Sequence, residues 1–400
     1  MYGMTLLVAA VRRKICMNNI TKRANPVKKM GMGLLQEWPL VVNLATTQVF
    51  LVYGQSLLAD LAHPVWFTLI LTWLLLTILS SIFAVVRHAE SLAEKLGEPL
   101  GTLVLTLSVT SIEVMIIIAA MLTGKGSPTL ARDTMFAVIM IALNGAVGLT
   151  LLIGALKYKE QEYNLQGATS FLAVILPLAV IGLILPNYTI SGPDQTFSTI
   201  QAAFLIVVSV ALYGVFLTIQ NGRHRAYFLT ARPTAEAKDA KRKWRIVHEV
   251  HSFPYHGLLL LAYMGPLVIL TQHLAVPIDF TIHVLGAPVA LAGFLIAVLV
   301  LAPESLAAAR AAMTNDLQRS VNILLGSALA TIGLTIPAVL AFGLLFHKRI
   351  MLGLEPIDVT MLALTLVLST MTFSSSRTNV LLGAVHLLLF FAYLLLIFQR

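Results

Sequence analysis

Two glutamates, Glu113 and Glu304, stand inside long apolar runs of the chain. A carboxylate at the centre of a bilayer costs about 2.5–3.5 kcal/mol on insertion scales, so acids there mark ion or proton sites. Two carboxylates that meet near a midplane can hold a hard dication with the charges balanced. Alternatively each can take a proton, which burial and a neighbouring like charge both favour. The loaded and protonated states exclude one another, and that exclusion is the chemistry of cation/proton exchange.

The neighbours of these acids fit a polar pathway. Thr102, Thr106, Thr110 and Glu113 recur at spacings that place them on one helical face. Pro303 directly precedes Glu304. A proline inside a helix frees the carbonyl four residues earlier and favours a kink, and a freed carbonyl beside a carboxylate can coordinate a cation. The next apolar run of each half adds Asn144 with Gly145 and Gly148, and Asn322 with Gly326, Ser327, Thr331 and Gly333. An amide oxygen is a hard neutral donor. For Asn144 and Asn322 a site role and a packing role both stay open, and the glycines suit close packing at least as well. His386, deep in the last run, is predicted to be a hydrogen-bonded structural residue rather than a proton relay.

The elements that position these residues must be membrane helices. Of 400 residues, 58% are hydrophobic and 11% charged, with a mean hydropathy of +0.88. Soluble domains are about 45–50% apolar and about 25% charged. Eleven runs are predicted to span: Trp38–Leu58, Val65–Val86, Leu100–Leu122, Thr134–Leu156, Gly167–Asn187, Ser198–Ile219, Gly257–Val276, Gly286–Ala309, Ser320–Phe346, Val359–Ser376 and Thr378–Gln399. By these boundaries Glu113 and Glu304 are the two acids within spans, and no Lys or Arg is. Continuous apolar runs, without ten-residue alternation, exclude a β-barrel. The expectation is an all-α polytopic membrane protein.

Charge sets the orientation. Of the 27 Lys and Arg, Lys125, Arg132, Lys348, Arg349 and Arg400 fall on one side and the rest on the other, which predicts a cytoplasmic N-terminus. The net charge of +9 is dispersed between apolar runs, as topology determinants are, and no nucleic-acid partner is expected. The single cysteine, Cys16, excludes a disulfide framework, a Cys-rich zinc site and an iron–sulfur cluster. The charges Arg12, Arg13 and Lys14 follow the apolar start instead of preceding it, against a signal peptide.

The chain then divides into a cytosolic N-terminal extension (1–37), a first helix outside the repeat (38–64), one half (65–219), a basic cytoplasmic linker (220–254) and a second half (255–400). Five spans per half force opposite orientations, the inverted repeat of many secondary transporters. Short matches recur in order. Gly97-Glu-Pro99 pairs with Gly286-Ala-Pro288, Leu130-Ala-Arg132 with Leu317-Gln-Arg319, and Gly148-Leu-Thr150 with Gly333-Leu-Thr335. Glu113 and Glu304 each fall on the second helix of a half. No GxSxG, HExxH or Cys/His cluster points to an enzyme.

The stretches LGEPLGTLVLTLSVTSIEV (96–114), RDTMFAVIMIALNGAVGLTLL (132–152), LAPESLAAARAAMTNDLQRSVNILLGSALATIGLTIPAVL (301–340) and TNVLLGAVHLLLFFAYLLLIF (378–398) resemble the bacterial ChaA-type cation/proton antiporters of the calcium/cation antiporter superfamily. The resemblance implies ten core helices in two inverted halves plus one preceding helix. It implies that Glu113 and Glu304 bind cation and proton, with Asn144, Asn322 and Ser327 as further candidates by position. It implies inorganic cations, protons and the lipid bilayer as partners, no cofactor, and a bacterial inner membrane. Many members place Gly-Asn shortly before the acid; here Val109-Thr-Ser-Ile112 and Val300-Leu-Ala-Pro303 stand there. The expected function is export of Ca2+, with Na+ and K+ as further cargo, against H+. The alternative is Na+/H+ or K+/H+ exchange with little Ca2+ activity. Glu113, Glu304, Thr106, Thr110, Asn144, Asn322 and Ser327 are the expected binding residues.

Overall fold

The structure is a computed structural model that describes residues 37–97, 100–123, 127–189, 195–229 and 252–399. Most of the N-terminal extension, residues 230–251 of the linker, and Glu98 and Pro99 of the first repeat motif lie outside the described residues. Among the described residues, eleven helices follow in chain order, one for each predicted run. They are α1 (Trp38–Leu57), α2 (Pro64–Leu96), α3 (Leu100–Thr123), α4 (Leu130–Tyr158), α5 (Leu165–Asn187), α6 (Thr199–Arg223), α7 (Phe253–His283), α8 (Ala290–Met313), α9 (Leu317–Leu345), α10 (Pro356–Thr372) and α11 (Val380–Ile397). Ten are long and apolar enough to cross a membrane. The seventeen residues of α10 rise about 26 Å, just short of a hydrocarbon core.

Local chemistry sets many of the starts. Asn164, Asp316 and Asn379 each accept a hydrogen bond from the first turn of the following helix, and Ser198 forms a capping box with Gln201. Prolines open α2 and α10, where a missing N–H costs nothing. Two antiparallel two-residue strands, Gln161–Glu162 and Arg377–Thr378, clip the α4–α5 loop to the α10–α11 loop.

Several helices outrun their predicted spans. Helix α2 continues ten residues past Val86, and α4 and α9 begin before Thr134 and Ser320. Hydropathy registers these ends as loop because they are polar. In the fold they are buried against protein, as His88 and Ser91 are. The expectation that no basic residue, and no acid besides Glu113 and Glu304, lies within a span is therefore corrected: the longer helices take in Arg87 and Glu90 of α2, Arg319 of α9, and Arg132 and Asp133 of α4. Arg132 is 4% exposed in its first turn, bonded to Asp133 at 2.8 Å and to the Gly353 carbonyl at 3.1 Å.

Helices α2–α6 and α7–α11 form the two halves, and their first helices, α2 and α7, pack against each other. The third helices, α4 and α9, are the most buried of the ten. Each is 29 residues long and broken by a π-helical segment, Ile141–Ala146 in α4 and Thr331–Thr335 in α9. Helix α1 packs on α2 and α7, where Asn43 donates to Ser80 at 3.2 Å and Trp73 to Thr46 at 3.2 Å.

Candidate functional site

Glu113 is the fourteenth residue of α3 and Glu304 the fifteenth of α8, two helices of 24 residues each. Both line one cavity of about 240 Å³. Its walls come from the first half of α3 (Thr102, Thr106, Thr110), the second half of α8 (Pro303, Ala307) and the first half of α9 (Arg319, Asn322, Ser327, Thr331). Glu90 of α2, Phe171 of α5, and Tyr213, Phe216 and Gln220 of α6 also line it. These parts adjoin one face of the bundle, the face where α2 ends and α9 begins, so the cavity runs from that face to mid-depth. Beyond Glu113, Ile116, Ile117 and Ala120 are buried.

The two acids are held differently. Glu113 is 3% exposed. Its Oε2 accepts hydrogen bonds from Thr331 at 3.1 Å and Thr335 at 2.8 Å, both on the π-helical segment of α9. Its Oε1 is buried without a partner, as is Thr110 Oγ1 one turn earlier. Glu304 is half-buried and accepts a hydrogen bond from Ser327. Helix α8 continues through Pro303 from Ala290 to Met313.

Glu113, Glu304, Thr106, Thr110, Asn322, Ser327 and Pro303 are thus brought together. Asn144 is not. It donates to Thr365 at 2.7 Å, and its amide oxygen lies 3.2 Å from His386 Nδ1. That oxygen only accepts, so His386 carries its proton on Nδ1 and takes a 2.9 Å hydrogen bond from Thr372 on Nε2. His386 is held at both nitrogens, hydrogen-bonded as the sequence suggested. Asn322 lines the cavity, but its oxygen accepts from Gln318 at 2.9 Å and its amide donates to the Phe228 carbonyl at 2.6 Å. Packing accounts for the glycines of α4: a methyl on Gly148 would meet Leu387 N at 2.9 Å, and one on Gly145 would meet the Phe390 ring at 3.1 Å.

Thr335, which bonds Glu113, and Glu90 and Arg319, which line the cavity, lie outside the set expected from the sequence. The spacing of Ser327, Thr331 and Thr335, four residues each, mirrors that of Thr102, Thr106 and Thr110, and was the available signal. Glu90 was lost with the polar end of α2.

A second polar cluster ties α1, α2 and α7 together. Glu37, the residue that precedes α1, accepts from Arg87 at 2.7 Å, Tyr263 at 3.0 Å and Tyr255 at 3.3 Å. His88 Nδ1 stands 3.0 Å from His256 Nδ1. Burial alone would raise the Glu37 carboxyl, but the hydrogen bond to His88 and the Arg87 charge pull it from 4.5 down to about 2.

Comparison with known proteins agrees with this architecture. The sodium/calcium exchanger protein family matches residues 66–222 and 256–399. The putative ionic transporter y4hA of Sinorhizobium fredii is 43% identical over 318 residues, 79% of this chain and 85% of its own length. The sodium-potassium/proton antiporter ChaA of Escherichia coli is 41% identical over 324 residues, 81% of this chain and 87% of its own. The solved structure of the Ca2+/H+ antiporter protein YfkE shares the fold, with a TM-score of 0.66 at 17% identity over 91% of this chain and 100% of that one. Ten helices long and apolar enough to cross a membrane, together with these relatives, make the chain a multi-pass membrane protein. With most of its length matched and both glutamates within the matched segments, the chain belongs to the sodium/calcium exchanger protein family.

Proposed function

We propose that the chain is a secondary cation/proton antiporter, exchanging H+ for Ca2+, Na+ or K+ by alternating access, with Glu113 and Glu304 as the shared binding groups. The observation that carries this reading is that carboxylates from equivalent positions of two inverted halves line a single cavity reaching one face. A cation and protons then compete for the same oxygens, so the site turns over loaded with one or the other. The relatives named sodium-potassium/proton antiporter and Ca2+/H+ antiporter support the class. The basic residues around the cavity face favour a cytoplasmic mouth in a bacterial inner membrane.

The test is flux in proteoliposomes under an imposed pH gradient, with Ca2+, Na+ and K+ side by side. Wild type is expected to exchange at least one of them for protons, and Glu113→Gln or Glu304→Gln to abolish exchange. Either Gln protein exchanging at the normal rate would defeat the assignment of the site.

One observation favours the monovalent alternative. Ca2+ takes 6–8 oxygens, while Asn144 is turned away and the Asn322 oxygen is occupied. If monovalent cations are the cargo, Na+ or K+ suppresses labelled Ca2+ uptake at equal concentration. Failure to compete would reject that alternative.

A further inference from the structure

We propose that Thr331 and Thr335 are positioning residues of the exchange site, holding Glu113 so that one carboxylate oxygen stays bare for the cation. The inference rests on the reading of Glu113 as an exchange carboxylate. Both threonine hydroxyls donate to Glu113 Oε2, at 3.1 and 2.8 Å. Each hydroxyl has one hydrogen to donate and spends it there. Glu113 Oε1 is left buried without a partner, and so is Thr110 Oγ1. A buried polar atom without a partner is unfavourable in a finished core, and a bound ion or water that completes it accounts for it. Thr110 and Glu113 are three residues apart on α3, on one face, and both line the cavity. Their bare oxygens form a two-point ligand for a hard cation that sheds water on the α3 wall.

Without the two hydroxyls the carboxylate could rotate and turn Oε1 back onto Thr110, closing that ligand pair. The donors are presented by the π-helical segment of α9, a device that recurs at functional sites. They also come from the other half of the molecule. The aim of Glu113 therefore depends on how α3 and α9 stand against each other. Glu304 differs, since its partner Ser327 belongs to its own half.

The experiment measures exchange in proteoliposomes with Na+, K+ and Ca2+ as separate probes. The variants are the double Thr331→Val/Thr335→Val, which keeps shape and removes both hydroxyls, and Thr331→Ser/Thr335→Ser, which keeps both. The valine protein should show KM for the transported cation raised about tenfold, with maximal rate within about threefold of wild type. The serine protein should restore KM. An unchanged KM, a fall in maximal rate alone, or failure of serine to restore KM overturns the proposal. If the double valine protein does not reach the membrane, Thr335→Val alone, which removes the shorter bond, should raise KM about threefold, and an unchanged KM there overturns the proposal equally. Glu113→Gln, run in parallel, separates the two claims. Exchange that survives it defeats the reading of the site; exchange that is lost while the valine proteins keep a normal KM defeats the positioning role alone.

Discussion

Asn144 and Thr331 each stand fifteenth in a 29-residue helix of an inverted half, yet Thr331 bonds Glu113 while Asn144 bonds Thr365 and His386. The π-helical segments account for the difference. In α9 the segment starts at Thr331; in α4 it starts at Ile141 and carries Asn144 in its middle. A π turn inserts a residue into the helical register, so equal positions along two helices present different directions.

The Asn144 amide and the His386 ring are each buried completely and bonded to each other. Asn144→Ala and His386→Ala should each lower the melting temperature of the detergent-solubilised protein. Removing either leaves a buried polar partner, at about 1–3 kcal/mol. The double variant should fall by less than the two single drops combined, since they break one shared bond. Additive drops in a thermal-shift series would show that the bond contributes nothing.

The close crossing of α4 and α11 also has a specific consequence. Gly148 of α4 and Gly383 of α11 face each other, and a methyl on Gly383 would meet Leu152 N at 2.7 Å and Gly148 O at 2.9 Å. Backbone cannot give way as a flexible side chain can. Gly383→Ala should therefore force α11 outward and cost about 1–3 kcal/mol, read as a lower melting temperature. Gly326→Ala is the control, because its methyl would meet nothing nearer than the Phe171 ring at 3.7 Å. Equal effects of the two changes would contradict the crossing.

The eleven helices and the paired glutamates were legible because apolar runs and lone intramembrane acids are local signals in the chain. The ends of α2, α4 and α9 were not. Arg87, Glu90 and Arg132 read as loop, and only tertiary contact shows them partnered or lining a cavity. The direction of Asn144 was illegible for another reason: helical periodicity assumes a uniform 3.6-residue turn, and the π-helical segments break it. Thr335 was visible as a residue but not as a partner, since its acid lies 222 positions away.

Arg132 supplies a buried-charge test at the end of the bundle opposite the cavity mouth. It bonds Asp133 at 2.8 Å, the Gly353 carbonyl at 3.1 Å and Glu355 at 3.5 Å, and so pins the α9–α10 loop to the start of α4. Breaking a buried ion pair from one side costs about 3–5 kcal/mol. Arg132→Ala should sharply reduce folded protein by size-exclusion chromatography. Arg132→Lys, a point charge unable to fan out to Asp133, Gly353, Gln195 and Glu355 together, should be intermediate. Normal yield and melting temperature for the alanine protein would refute this role.

Glu37 gives a pH-dependent outcome. Its carboxyl titrates at about 2 in the folded chain against an ordinary 4.5. A lowered folded value means that the ionised form is the one bound in the native state. The stabilisation is therefore complete above about 4.5 and is lost as pH falls through about 2. At neutral pH, Glu37→Gln should lower the melting temperature, because Arg87, Tyr255 and Tyr263 lose the anion they converge on. The gap between wild type and variant should narrow steadily below pH 4.5. A gap that stays constant from pH 7 to pH 3 would mean that the ionised carboxylate does not dock α1 on α2 and α7.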